Sequence, residues 1–197
     1  MFRNSDFDIF EDKTLNGRME KIRTIIDPKF EEFASIVLPI LNTNGQEWYA
    51  HVAKHLRRTT YAPDNTWVAF APNKRGYKML PHFELGIWED NVYFYLAVEE
   101  NMKPAQTNVI TQKLREVSPL VRELPDSHRL SQDHMVNKTY SLLQYDDSVE
   151  RYESVKHSEV LIGVEIKRGD KLWDGDGIVD TLVLAMKNLL PIYEKIK

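Results

Sequence analysis

Cysteine is absent from all 197 residues. That excludes disulfides, thiolate-bound zinc and a cysteine nucleophile, and it fits a reducing compartment, so a cytoplasmic location is expected. Glycine is sparse, at 8 residues, and neither G-x-x-x-x-G-K-[ST] nor G-x-G-x-x-G occurs. The familiar glycine-rich cradles for nucleotide phosphates are therefore missing. No G-x-S-x-G marks a serine hydrolase. No apolar run approaches the roughly 18 residues needed to cross a bilayer. Acids at Asp6, Asp8 and Glu11 stand where an export signal would need an apolar stretch. No membrane partner is expected.

What is present is a local imbalance of charge. Between His51 and His82 lie Lys54, Arg57, Arg58, Lys74, Arg75 and Lys78, against the single carboxylate Asp64. The stretch carries a net +5 (six cations less Asp64) inside a chain whose net charge is −4. Arginine forks and lysine ammonium groups suit phosphate or carboxylate. Histidines add donors near neutral pH, and Tyr61, Trp67 and Tyr77 offer flat faces for stacking. His51, His55, Arg57, Arg58, Arg75 and His82 are the candidate contacts for an anionic small molecule. The bland alternative is a solvated basic face that balances acidic neighbours. Nucleic acid is disfavoured by the acidic total, because its nonspecific affinity draws on a large cationic surface. No catalytic residue and no cofactor can be named from the residues, and the oligomeric state is not written in them. An enzyme acting on a phosphorylated or adenylated substrate, with His55 or His82 as acid/base, is the alternative function. A protein-interaction domain is the third.

No metal is expected. His51 and His55, with His82, have ligand-like types and spacing, but Val52 occupies the place where the metalloprotease pattern needs Glu. Nearby cations would also repel a divalent ion. Asp174 and Asp176 do not make a calcium loop, since Ile178 stands at the next required ligand position. They are expected to form a turn with a helix cap. Glu99-Glu100 is expected to be a solvated strand end.

Hydrophobic spacing predicts the elements. Leu15, Met19, Ile22 and Ile26 make one helical stripe. After Asp27-Pro28, a cap followed by proline, Phe30, Phe33, Ala34, Val37, Leu38 and Leu41 make a second. A third helix is predicted over 46–58. Strands are predicted over 66–71, 81–88 and 92–98, the last two as an antiparallel hairpin. Helices follow over 107–117 and 120–124. A loose strand over 138–145 and a helix over 148–157 capped by Ser148 come next, then a strand over 160–166 and a last helix from Ile178. Helices first, strands clustered in the middle and no regular strand–helix alternation predict one α+β domain over 1–197. The expected architecture is a two-layer sandwich, a mostly antiparallel sheet with helices on one face.

The runs AKHLRRTTYAPDNTWVAF and KRGYKMLPHFELGIW, with SDFDIF, RMEKIR and EVLIGVEI, resemble the YktB-like family of uncharacterised bacterial proteins. The likeness covers most of the chain. It implies a single α+β domain with a largely antiparallel sheet, loosely similar to the catalytic domain of biotin and lipoate ligases. Those ligases hold ATP phosphates with a glycine-arginine-rich loop, which Lys74-Arg75-Gly76-Tyr77-Lys78 echoes faintly. Fold likeness does not carry function, so ligase activity is not inferred.

Overall fold

The computed structural model describes residues 1–175 and 177–197. A six-stranded antiparallel sheet is its centre, in the order β1-β2-β3-β4-β6-β5. Its strands are β1 (Tyr49–Val52), β2 (Thr66–Ala71), β3 (His82–Ile87), β4 (Asn91–Val98), β5 (His128–Ser131) and β6 (Val160–Lys167). The helices are α1 (Leu15–Lys21), α2 (Asp27–Leu41), α3 (Thr107–Glu116), α4 (Ser118–Arg122), α5 (Tyr145–Ser154) and α6 (Gly177–Ile196). This is the α+β architecture expected, with several helices packed against an antiparallel sheet.

Period-two alternation splits the sheet into two unlike faces. Val68 and Phe70 on β2, Phe83, Leu85 and Ile87 on β3, and Phe94 and Leu96 on β4 enter one large core with the helices. From the helical side come Phe30, Phe33 and Val37 of α2 and Leu182, Met186 and Leu189 of α6. Trp48, just before β1, stacks on Phe83 at 5.8 Å and contacts Tyr193 of α6 at 4.9 Å, tying the sheet edge to the last helix. Residues on the other face include His82, Glu84 and Tyr93, and they are buried too. Loops cover them: Trp67 Nε1 donates to Tyr77 at 3.0 Å and Asn65 Nδ2 donates to the His134 carbonyl at 3.1 Å.

Gly86 makes that second face possible. A Cβ there would sit 2.2 Å from the Tyr93 ring, its cross-strand neighbour. Without one, Tyr93 lies across the strand and donates its hydroxyl to Glu84 Oε1 at 2.7 Å.

Several expectations are corrected. The region 46–58 is not a helix. Its middle pairs antiparallel with β2 as β1, and the chain then turns through His55 at φ 49. Trp48, Val52 and Leu56 mimic a helical stripe, but Leu56 is 81% exposed. Pairing with the sheet edge outweighs so short a helical pattern. Asp27-Pro28 does open α2 with the proline in its first turn, but Asp27 caps nothing, because the preceding residue Ile26 is already helical. The chain runs from α1 to α2 through a π-helical turn, Ile22–Ile26, in which Asp27 N–H bonds back to Ile22. That wider turn accommodates a proline lacking its N–H. The predicted strand 138–145 shrinks to one bridge, Tyr140 with Leu130. Ser148 lies inside α5, its hydroxyl donating back to the Gln144 carbonyl at 2.9 Å. Asp174 ends a short 3-10 turn, Lys171–Asp174. The rest of that expectation falls on Asp176, outside the described residues.

Candidate functional site

Strand pairing gathers the polar residues at one end of the sheet. Val98 pairs with Val160, so Glu99 and Glu159, each one residue beyond its strand, stand side by side. His82, at the start of β3, pairs with Ala97 at the same end. Ser131, the end of β5, pairs with Leu161, which brings the following loop and His134 to Glu159. The turn after β2, opened by Gly76 at φ 72, folds Tyr77 and Lys78 over this end.

A cleft of about 1030 Å³ opens here. Its rim carries Lys54, Arg57 and Arg58 from the turn after β1, and Lys74 and Arg75 from the turn after β2. Among the described residues, none of these five cations makes a salt bridge. Deeper in, Trp67 and Tyr77 present rings, and Lys78, Glu99, His134 and Glu159 supply charge.

Five of the six residues singled out from the sequence (His51, His55, Arg57, Arg58 and Arg75) line this one cleft. The two histidines do not share a helical face. His51 Nε2 donates to the Asn73 carbonyl at 2.8 Å, and burial pushes its pKa down. His55 Nε2 meets Thr66 Oγ1 at 3.1 Å. Burial, with a smaller push from Arg58, lowers its pKa to about 4. Both imidazoles are therefore neutral at pH 7 and add no charge to the rim. His82 does not line the cleft. It lies behind Tyr77, fully buried, with its ring 4.9 Å from the tyrosine's.

The buried end of the cleft is an ionic network that no local sequence pattern announces. Glu99 is 0% exposed, not a solvated strand end; only its neighbour Glu100 reaches solvent, where it meets His157 at 2.7 Å. Lys78 Nζ donates to Glu99 Oε2 at 2.7 Å. Burial raises the Glu99 pKa, but His82, His134 and Lys78 outweigh it and bring the carboxyl down to about 2. His82 Nε2 approaches Glu99 Oε1 to 3.3 Å, but neither atom has a hydrogen-bond partner of acceptable geometry. His134 Nδ1 bonds Glu159 Oε2 at 2.7 Å. Burial opposes charge on His134, yet that bond and the Glu84, Glu159 and Glu99 carboxylates prevail and lift its pKa to about 9. Lys78 Nζ lies 3.3 Å from His134 Nε2 and donates to it when that nitrogen carries no proton.

Two groups in this network have metal-ligand types with ligand atoms within 4.8 Å of one another: His82, Glu84 and Glu99, and Glu99, His134 and Glu159. The second is already engaged by Lys78 and by its own His134–Glu159 bond. Glu84 had a readable signal: an acid alternating with Phe83 and Leu85 in a central strand. Glu99, His134 and Glu159 had none, because only the sheet brings them together. No helix of the described residues is long and apolar enough to cross a membrane.

A family profile described as "Domain of unknown function (DUF1054)" matches residues 2–193. The chain is 98% identical over 197 residues to a UPF0637 protein of Leuconostoc mesenteroides subsp. mesenteroides, covering 100% of both chains. It is 54% identical over 201 residues to a UPF0637 protein of Leuconostoc citreum, again covering 100% of both. It is 37% identical over 196 residues to one of Oceanobacillus iheyensis, covering 98% of this chain and 95% of the relative.

Proposed function

Since the chain belongs to the bacterial UPF0637 family, defined by a domain whose description names no activity, we propose its function from the cleft: it binds a small molecule bearing phosphate or carboxylate. The observation that carries this is the rim, where five cations from two separate turns line one hollow and, among the described residues, make no salt bridge. Unpaired cations around one hollow repel one another, and an anion bound among them reduces that cost. Arg57, Arg58 and Arg75 supply forked donors, with Lys54 and Lys74 as point charges. His51 and His55 act as neutral walls rather than charged contacts, and His82 acts from behind the floor. The hollow is at the upper end of ordinary ligand-pocket sizes, roughly 300–1,000 Å³, so the ligand is larger than a lone phosphate. Trp67 and Tyr77 suit a flat ring beside the anionic group. A cytoplasmic small molecule is the partner proposed, rather than nucleic acid, for which the net charge of −4 is unfavourable.

The test is a thermal-shift screen against nucleotides, phosphosugars and acyl cofactors, followed by affinity measurement of each hit. Replacing Arg58 and Arg75 together with Ala is expected to weaken binding at least about 10-fold, since each charge-assisted bond contributes ~1.5–3 kcal/mol. An affinity unchanged in that variant would overturn the assignment.

A second reading, an enzyme on a phosphorylated or adenylated substrate, is supported by the buried His134–Glu159 pair at the cleft floor. A strongly perturbed imidazole in a cleft is a common mark of acid/base chemistry. In this reading the acid assigned is His134, in place of the His55 or His82 expected from the sequence. Turnover of a bound ligand that disappears in His134→Gln would favour it; turnover that persists would remove it.

A further inference from the structure

Behind the cleft floor, three side chains converge with one atom each left bare. His82 donates Nδ1–H to the Leu80 carbonyl at 2.9 Å, which leaves Nε2 as the free ring position. Glu84 Oε1 accepts from Tyr93 at 2.7 Å, and its Oε2 has no partner. Glu99 Oε2 holds Lys78, and its Oε1 has none. All three residues are fully buried, one ligand atom of each lies within 4.8 Å of the others, and the bare His82 Nε2 and Glu99 Oε1 are 3.3 Å apart. Buried polar atoms without partners are costly. Three of them on side chains in one buried cluster call for a common explanation.

We propose that His82 Nε2, Glu84 Oε2 and Glu99 Oε1 ligate one divalent first-row transition-metal ion. Each ligand has its second polar atom fixed by a defined partner (a backbone carbonyl, a tyrosine hydroxyl, a lysine ammonium), which is how metal-ligating imidazoles and carboxylates are held in orientation. The 3.3 Å between His82 Nε2 and Glu99 Oε1 fits two ligands on one ion, since tetrahedral bonds of ~2.1 Å place ligand atoms ~3.4 Å apart. One imidazole nitrogen with two carboxylate oxygens suits Zn²⁺, Mn²⁺ or Fe²⁺; Mg²⁺ prefers oxygen and water. The flanking cations Lys78 and His134 oppose the ion, but Glu84, Glu99 and Glu159 outnumber them. Glu99 also lines the cleft, so the three ligands lie directly behind its floor. Metal binding here goes beyond the anion-binding reading and stands without it.

The experiment dialyses the full chain against a chelator, removes the chelator, and titrates Zn²⁺ and Mn²⁺ separately by calorimetry, with Mg²⁺ as comparison. One equivalent of Zn²⁺ or Mn²⁺ is expected to bind, with Mg²⁺ much weaker. Glu84→Gln and His82→Gln should each weaken binding by about 100-fold or more, taking the upper end of the losses seen for supporting residues as a floor. Glu153→Gln, at an exposed carboxylate paired with Arg115 and part of neither the cleft nor the three ligands, should retain binding. Circular dichroism establishes that each variant is folded. Should either ligand variant fail to fold, the visible spectrum of Co²⁺-loaded wild type decides: absorption of a nitrogen-ligated, low-coordinate ion supports the site, and a hexaaquo-like spectrum overturns it. Absence of stoichiometric binding, as a proton shared between His82 and Glu99 would give, also overturns it. So does equal affinity in Glu84→Gln and wild type.

Discussion

Replacing His55 by Asn tests whether the cleft wall is neutral. His55 sits in the left-handed region at φ 49, which Asn tolerates well, so the substitution removes the titration with little backbone cost. Burial, and to a lesser degree Arg58, lowers the imidazole pKa from 6.5 to about 4 in the folded chain. The unfolded chain therefore takes up a proton between these values while the folded one does not. Stability rises with pH across that window and is lost as pH falls from 6.5 toward 4. The full shift corresponds to roughly 3 kcal/mol at ~1.4 kcal/mol per pH unit. His55 keeps some exposure, so screening reduces this to about 2 kcal/mol. Urea denaturation of wild type and variant at pH 7.5 and pH 4.5 measures it. Carboxylates and the other histidines titrate in both proteins and cancel. The wild type should lose about 2 kcal/mol more than His55→Asn between the two pH values. Equal losses, or an NMR titration of His55 with a midpoint near 6.5, would refute the reasoning.

Asp27 carries the opposite sign. Burial, with repulsion from Glu31, raises its pKa from 3.8 to about 6, so it costs stability as pH rises through that range. Asp27→Asn should stabilise by about 1 kcal/mol at pH 7.5 and by nothing near pH 3.5, read from urea midpoints. Gly86→Ala places a methyl 2.2 Å from the Tyr93 ring. It should cost about 1–3 kcal/mol in thermal or urea unfolding, and Tyr93→Phe a similar amount by leaving Glu84 Oε1 bare. Trp48→Ala removes the stack between Phe83 and Tyr193 and should cost about 3–5 kcal/mol by the same measurement.

The architecture could be read from the sequence wherever the hydrophobic signal was long. Phe83, Leu85 and Ile87, or the run Val160–Ile166, leave little room for another element, and the helical stripes before Leu41 extend over several turns. Short edge strands could not be read. β1 has four residues flanked by apolar positions at helical spacing, and in β5 only Leu130 joins the main core. The site divides along the same line. Its rim was visible because unbalanced charge is a local property of 54–58 and 74–78. Its floor was not, because Glu99, His134 and Glu159 meet only through the β4–β6 and β5–β6 registers. The alternation in β3 did separate His82 and Glu84 from the core side. That this face is covered could not be read from β3, because the turn carrying Tyr77 and the loop carrying His134 close over it from elsewhere in the chain.

Side-chain NMR of the arginines during titration with pyrophosphate tests the anion-binding cleft most directly. The Nε–Hε signals of Arg57, Arg58 and Arg75 should shift together and saturate. Those of Arg115, Arg122 and Arg168, each held by a carboxylate elsewhere, should stay in place. Rim signals that do not move, or that move no more than the paired ones, would contradict it.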